Sequence, residues 1–412
     1  MTQERYNITG AEMKKYRVVE DILSKKITQK EAASQLERSA RQVRRIMIKV
    51  RDNGLQGTVH GLVGKPSNNS LKKEIKNKVL DLWRDKYRVC GFNYAHFTQK
   101  LNEIEKIKIS EGSVRSLLLK HDLVDKKPKK GRKHRKRRER KSQIGEMLQI
   151  DTSPHVWLPG EKKQHMVSVI DDGTSNLLYS QLESADGTLP NMRALDFIIR
   201  EYGLPRSIYT DRASWFHYQQ QGVRAQSTHK STRNGKKGET QIKRALDQLG
   251  IEFIAAYSAQ AKGRIERLNS TLQDRFIPEL KLSNITDMTE ANKFLMDFFL
   301  KDHNNRYAVK ASEEGSRFIK LANNDILDDI LCFKFTSTVR NDNVVSNSKY
   351  YKLQLLPSKY QLSWVQAKVF VRLHIDGSIT VKHSKSGVLI PFEIIEYRGV
   401  KEFKHGENKT VA

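Results

Sequence analysis

Three kinds of residue or pattern are scarce in this chain. It has two cysteines, Cys90 and Cys332, in 412 residues. Two thiols so far apart neither staple a small scaffold nor form a metal-ligand pair, and they read as reduced thiols of a cytosolic protein. No apolar run approaches the roughly 18–20 residues that span a bilayer. The start, Met-Thr-Gln-Glu-Arg, lacks the basic-then-apolar order of a signal peptide. Acidic residues are also short, 47 against 75 Lys and Arg, for a formal net charge of +28. A disulfide scaffold and a helical membrane protein are excluded, and the expected location is the cytoplasm.

The charge is unevenly placed. Residues 1–141 hold 38 Lys and Arg against 16 Asp and Glu, whereas the remainder holds 37 against 31. A basic first third joined to a near-neutral body is the pattern of a nucleic-acid-binding region attached to a globular domain with other work. The length allows two to four domains and at least one sizeable core.

Residues 1–52 read as a helix-turn-helix domain. Met13, Tyr16, Val19, Ile22 and Leu23 make one apolar face, and Thr28 with Glu31 forms a capping box for the next helix. Ser39 caps a third helix that turns Val43, Ile46 and Met47 inward and Arg41, Arg44 and Arg45 outward. An arginine-rich last helix is the one that enters a major groove. A plain three-helix bundle with a solvated basic face is the alternative. Residues 53–70 break every periodicity and read as a linker. Residues 71–125 return to helical patterns, with Ser110 capping a helix that carries Arg115, and read as a second helix-turn-helix or winged-helix unit. The stretch 126–141 has 12 Lys and Arg in 16 positions, among them Arg132, Arg135, Arg137 and Arg138. Such a run within the linker 126–143 cannot pack a core, and it neutralises phosphates with little sequence information.

From residue 144 strands and helices alternate. Met147–Asp151, His165–Ile170 and Leu177–Leu182 read as an antiparallel meander, followed by a helix over Pro190–Tyr202. Ser207–Thr210 is a fourth strand, Thr240–Leu249 a helix, Ile251–Ala255 a fifth strand, and Ser258 precedes a long helix through about Phe276. That order is the one expected of an RNase H-like α/β fold over 144–282. Asp151 closes the first strand in Gln-Ile-Asp-Thr, Asp211 closes the fourth in Tyr-Thr-Asp-Arg, and Glu266 sits on the long helix. Three converging carboxylates make a hard-oxygen site suited to Mg²⁺ or Mn²⁺. Singly, an Asp after a strand is more often a turn former, and Asp171-Asp172-Gly173 reads as such a hairpin turn. Trp157, Trp215, His155 and His217 follow the first two acids, and packing is their commoner role.

These residues resemble the DDE triad of the retroviral integrase superfamily, with Ala261-Lys262-Gly263-Arg264-Ile265-Glu266-Arg267-Leu268-Asn269 as the most specific stretch. The whole arrangement is similar to insertion-sequence transposases with an integrase-type core, of the ISNCY-like kind. It comprises tandem helix-turn-helix units, a Gly-Lys-Pro-Ser linker, a basic run, the core and a β-rich tail. The resemblance implies metal-dependent cleavage and strand transfer of DNA, with two Mg²⁺ (or Mn²⁺) ions held by Asp151, Asp211 and Glu266. It further implies terminal inverted repeats and target DNA as partners, a homodimer or larger assembly on DNA, and a place at the bacterial nucleoid. Lys262, Arg264 and Arg267 become candidate DNA contacts.

The chain departs from that pattern twice. Asp211 and Glu266 are separated by 54 residues, more than the family usually has, and the polar stretch 219–238 reads as an inserted loop. Gln273 stands where many relatives carry Lys or Arg, which moves that DNA contact to Arg264, Arg267 or Arg275. After the core, 283–330 reads as a helical connector and 331–398 as five short strands forming a small SH3-like barrel, with 399–412 a tail. Two other readings stand beside the transposase: a DNA-binding regulator or domesticated protein with an inactive core, and a simple nuclease of RNase H type.

Overall fold

The computed structural model describes residues 8–61, 63, 70–126, 138–160, 162–211, 215–216, 239–256, 263–323, 325–359 and 361–398. The chain falls into two compact units, Met1–Lys78 and Val79–Ala412.

In the first unit, helices α1 (Gly10–Leu23), α2 (Gln29–Gln35) and α3 (Ala40–Asn53) each open on a reciprocal capping box: Thr9 with Glu12, Thr28 with Glu31, Ser39 with Gln42. Each box satisfies two backbone donors that the first helical turn would leave unpaired. Val18, Ala32 and Val43 form the core, the small Ala32 letting the helices approach. Residues 36–39 turn the chain between α2 and α3, and Arg41, Arg44 and Arg45 face solvent.

Helix α4 (Lys73–Leu82) runs through a π-helical turn, Trp83–Tyr87, into α5 (Arg88–Cys90). With α6 (Tyr94–Glu103) and α7 (Glu111–Lys120) it encloses Trp83, Tyr87, Phe92 and Phe97, whose neighbouring rings lie 5.0–5.1 Å apart.

A five-stranded sheet organises the second unit: β1 (Leu148–His155), β2 (Gln164–Asp171), β3 (Leu177–Glu183), β4 (Ser207–Thr210) and β5 (Glu252–Ala255), in the order β3-β2-β1-β4-β5. β1, β2 and β3 pair antiparallel, and β1, β4 and β5 pair parallel. That is the arrangement the strand and helix patterns predict. Helices α8 (Thr188–Glu201) and α9 (Gln241–Gln248) cover one face. The opposite face meets α10 (Gly263–Leu282) and α11 (Met288–Phe294), the latter continuing through a π-helical turn, Leu295–Phe299, into α12 (Leu300–Tyr307). Alternation along the strands sorts the two cores. Leu148, Ile150, Val167 and Val169 pack with Leu195 and Ile198 of α8, while Met166 and Ile170 pack with Leu268, Leu272 and Phe276 of α10. The residues between Leu148 and Ile150 and beyond them, Gln149, Asp151 and Ser153, therefore point to the α10 face.

Two expectations change after α12. The connector is not helical throughout: residues 308–323 carry no helix. Their backbone pairs instead with the bottom of the sheet, Ile319 exchanging hydrogen bonds with Leu204 (2.8 and 3.0 Å) and Arg317 donating to Ile144 O (2.8 Å). Phe318 lies over Gly145, where φ is +78° and an added Cβ would sit 2.7 Å from the ring. Only glycine fits there.

Beyond α13 (Asp325–Ile330), the β-rich end holds six strands rather than five. They are β6 (Phe333–Thr338), β7 (Val344–Asn347), β8 (Tyr351–Leu355), β9 (Lys368–Leu373), β10 (Ile379–His383) and β11 (Phe392–Tyr397). Among the described residues they form two three-stranded sheets, β10-β9-β6 and β11-β8-β7, and not one closed barrel. Leu353, Leu355, Trp364, Val369 and Val371 share one core with the central domain. Gln241 and Arg244 of α9 fasten the junction through the backbone of Ile330, Cys332 and Lys334, at 2.7–3.1 Å.

Candidate active site

Asp151 lies within β1 opposite Ser168 of β2. On its other side β1 pairs with β4 only through Leu148↔Ile208 and Gln149↔Tyr209. Carrying that register two residues on sets Asp151 beside Asp211, the residue after β4. Both aspartates thus occupy the fork where two parallel strands part. Backbone hydrogen bonding ends there, so side chains open to solvent while the strands behind them hold their positions.

Helix α10 supplies the third acid. Glu266 is exposed in its first turn, where a carboxylate also meets the positive end of the helix dipole. Three residues on, Asn269 Nδ2 donates to Asp151 Oδ2 at 2.9 Å, and four further on, Gln273 Nε2 donates to Ser153 Oγ at 3.1 Å. Four helical residues rise about 6 Å and two strand residues about 6.6 Å, so helix and strand advance in step. Glu266 shares the face of Asn269 and Gln273, lying within about 20° of Gln273 around the helix. Asp151 and Glu266 therefore belong to the same side of the sheet, and Asp211 follows β4 at the level of Asp151. Among the described residues, however, no three His, Cys, Asp or Glu side chains form a ready-made metal cluster.

The donor chemistry nevertheless suits a hard cation. The three acids offer only carboxylate oxygens. Asn269 Oδ1, beside Asp151, is buried without a hydrogen-bond partner among the described residues. An oxygen acceptor left so is costly unless a cation or its water meets it.

Two acids near the site were not singled out for it by the sequence. Asp186, at the end of the β3–α8 connection, accepts from Thr152 Oγ1 at 3.0 Å and from Gly187 N at 2.8 Å. Burial pushes its carboxyl up, and the neighbouring Asp211 charge adds to that. Asp172 is fully buried and accepts from Arg138, from Arg264 Nη1 at 2.6 Å, from Gln149 Nε2 at 2.6 Å and from Lys141 N at 3.0 Å. The hairpin-turn reading of Asp171 and Asp172 holds for the backbone, but Asp172 does more than turn the chain.

The candidate DNA contacts divide. Arg41, Arg44, Arg45, Arg115 and Arg267 are exposed. Arg138 and Arg264 are engaged by Asp172, with 34% and 16% of their side chains exposed. Arg275 donates to Gln99 at 2.5 Å and lies over the Tyr307 ring. Gln273 is occupied by Ser153. Arg132, Arg135, Arg137, Lys262, His217 and the stretch 219–238 lie outside the described residues. Trp157 is core: it is buried, donates from Nε1 to Ser153 O at 3.1 Å and meets Phe276. Trp215 packs, half-buried, against the core on the α8 side.

No family model matches the chain. It is 30% identical over 324 residues to y4bF of Sinorhizobium fredii, a protein assigned as a transposase, covering 78% of this chain and 68% of that one. It is also 30% identical over 343 residues to the transposase for insertion sequence IS1202 of Streptococcus pneumoniae, covering 74% and 71%. The chain belongs to the insertion-sequence transposases. Among solved structures it is similar to the HTLV-2 integrase catalytic core domain in complex with magnesium (13% identity, 42% of this chain and 93% of that one, TM-score 0.29). It is also similar to the simian T-cell lymphotropic virus intasome bound to the PP2A regulatory subunit B56 gamma (11% identity, 71% and 96%, TM-score 0.31). Scores this low add nothing to the assignment. No helix among the described residues is long and apolar enough to cross a membrane.

Proposed function

We propose that this transposase binds the terminal inverted repeats of an insertion sequence, frees a 3′-hydroxyl at each element end and joins it to target DNA. Asp151, Asp211 and Glu266 carry the chemistry. What supports this most is the family of the chain together with Asp151 where β1 loses its pairing to β4, Asp211 directly after β4 and Glu266 in the first turn of the facing helix α10. Bound Mg²⁺ or Mn²⁺, two ions per site, would supply the Lewis acidity that activates an attacking water or 3′-hydroxyl and takes up charge on the leaving oxygen.

The chain's own residues do the rest. Asp151, Asp211 and Glu266 would hold the ions, with the Asp151 carboxylate held in orientation by the Asn269 amide, and no protein nucleophile is required. Helix α3 would enter the major groove with Arg41, Arg44 and Arg45, and α7 would add Arg115. The run containing Arg132, Arg135 and Arg137 would neutralise backbone phosphates, and Lys262 and Arg267 would touch DNA beside the cut. Because two ends are processed together, the active form is a homodimer or larger assembly on DNA.

Labelled DNA carrying the inverted repeats that flank the gene provides the test. With Mg²⁺, the full chain should nick at the element end and yield a joint product. Tight binding without cleavage would make it the DNA-binding regulator instead, and cleavage without joining would make it a simple nuclease.

A further inference from the structure

The Asp172 carboxylate joins parts of the chain that are distant in sequence. It accepts from Gln149 of β1, two residues before Asp151, and from Arg264 of α10, two residues before Glu266, both at 2.6 Å. It also accepts from Arg138, whose guanidinium lies 5.7 Å above the ring of Tyr209, two residues before Asp211. Arg264 Nη2 in turn donates to Arg138 O at 2.9 Å. One pair, Asp172 and Arg138, therefore reaches the residue two positions before each of the three acids. On a strand, two positions is one pleat, so Gln149 shares the face of Asp151 about 6.6 Å away, and Tyr209 is the next-to-last residue of β4 before Asp211.

We propose that Asp172 and Arg138 are positioning residues of the active site, setting the spacing of β1, β4 and the start of α10 and so the spacing of the three acids. This rests on the transposase reading above. A buried carboxylate with two guanidinium partners is stable only while its charges and hydrogen bonds stay matched. That makes the junction rigid, and a metal centre needs rigidity of about 0.5 Å. Arg138 also lies in the last part of the basic run, where Arg140 continues the docking by donating to Gly173 O (3.2 Å) and Ser175 Oγ (2.6 Å). The basic stretch is thus partly a structural piece of the site and not only a phosphate contact.

The test uses the full chain and Asp172→Asn, which keeps the shape and removes the charge. Residues that orient metal ligands typically contribute 10–100-fold to metal affinity. Mn²⁺ binding to the DNA-free protein, read by electron paramagnetic resonance, should weaken by about that factor. Hydrogen exchange over 263–270 should quicken, and strand transfer should fall and partly recover at high Mn²⁺. Affinity for an element end in Ca²⁺ should stay close to that of the unaltered protein. Arg138→Ala should give the same pattern, Arg138→Lys a milder one, and the double variant little more than either single one. Should Asp172→Asn fail to fold, Arg138→Ala, at a partly exposed residue, is judged by the same readouts. Unchanged Mn²⁺ binding and exchange, or fully additive losses, would overturn the proposal. Asp151→Asn separates the two claims: if it still transfers strands, the transposase site itself is misplaced. If it is inactive while Asp172→Asn behaves as the unaltered chain, only the positioning role fails.

Discussion

The role proposed for Asp151 requires a carboxylate open enough to take part in chemistry and fixed enough to be useful. The chain meets both demands by placing it in the middle of a strand, at the point where that strand loses one neighbour. The Asn269 amide then restrains the carboxylate from the helix side. A hydrogen bond to a charged group contributes about 1.5–3 kcal/mol, so Asn269→Ala should slow strand transfer roughly 10–100-fold. Thermal unfolding of that variant should change little by comparison, and activity within twofold of the unaltered chain would show that Asn269 merely fills space. The strands that carry or precede the two aspartates were legible in the sequence as short apolar runs, although β1 continues to His155 and so does not end at Asp151 as expected. Asp172 was not legible as more than a turn residue. Its partners lie at 138, 149 and 264, and only the folded chain brings them together.

At the scale of elements, α10 ties the acids to the helices before them. Its first turn carries Glu266 and its last turns carry Glu279, which is buried against His96 Nε2 (2.7 Å) and Lys100 Nζ (2.5 Å) of α6. Arg306 of α12 adds Glu103 of α6 at 2.6 Å. The helical segment before the basic run is thus fastened to the helix of the third acid by charge rather than by apolar packing alone. Next to this junction, burial brings His303 of α12 down from 6.5 to about 4. Its Nδ1 has no hydrogen-bond partner among the described residues, and its ring lies between Phe299 and Tyr307. Between those two values the unfolded chain takes up a proton that the native chain refuses. Stability is therefore whole above pH 6.5 and declines as the pH falls toward 4, by on the order of 3 kcal/mol from this residue. His303→Phe should flatten that part of the stability curve, measured by urea unfolding at pH 7 and pH 4.5. An unchanged difference between the two pH values would refute it. The long helices and core strands were readable because their periodicity is strong. The segment 308–323 was not, because its backbone pairs with Ile144 and Leu204, far away in the chain. β7 was missed because Val344–Asn347 offers only two adjacent apolar residues, Val344 and Val345, followed by Ser and Asn, with no alternation to mark a strand.

For the whole molecule, the formal charge of +28 is concentrated in the first third, and that asymmetry is why the sequence points to DNA as the partner of that third. What it could not convey is that the basic run's far end is built into the central domain through Arg138 and Arg140. The two halves of that run should therefore behave differently. Replacing the Lys and Arg of 126–137 with Gln should make log K against log salt shallower by about 0.9 for each phosphate no longer neutralised, while leaving chemistry on saturating DNA intact. A salt dependence equal to that of the unaltered chain would mean that this run does not touch DNA.

Of the three proposed acids, Glu266 most needs a direct test, because 54 residues separate it from Asp211. Strand transfer of a pre-cut element end in Mg²⁺, compared between the unaltered chain and Glu266→Gln at saturating DNA, decides it. Loss of a metal ligand removes several kcal/mol of charge stabilisation, so the rate should fall by about a thousandfold or more while end binding persists. Full strand transfer by Glu266→Gln would contradict the assignment.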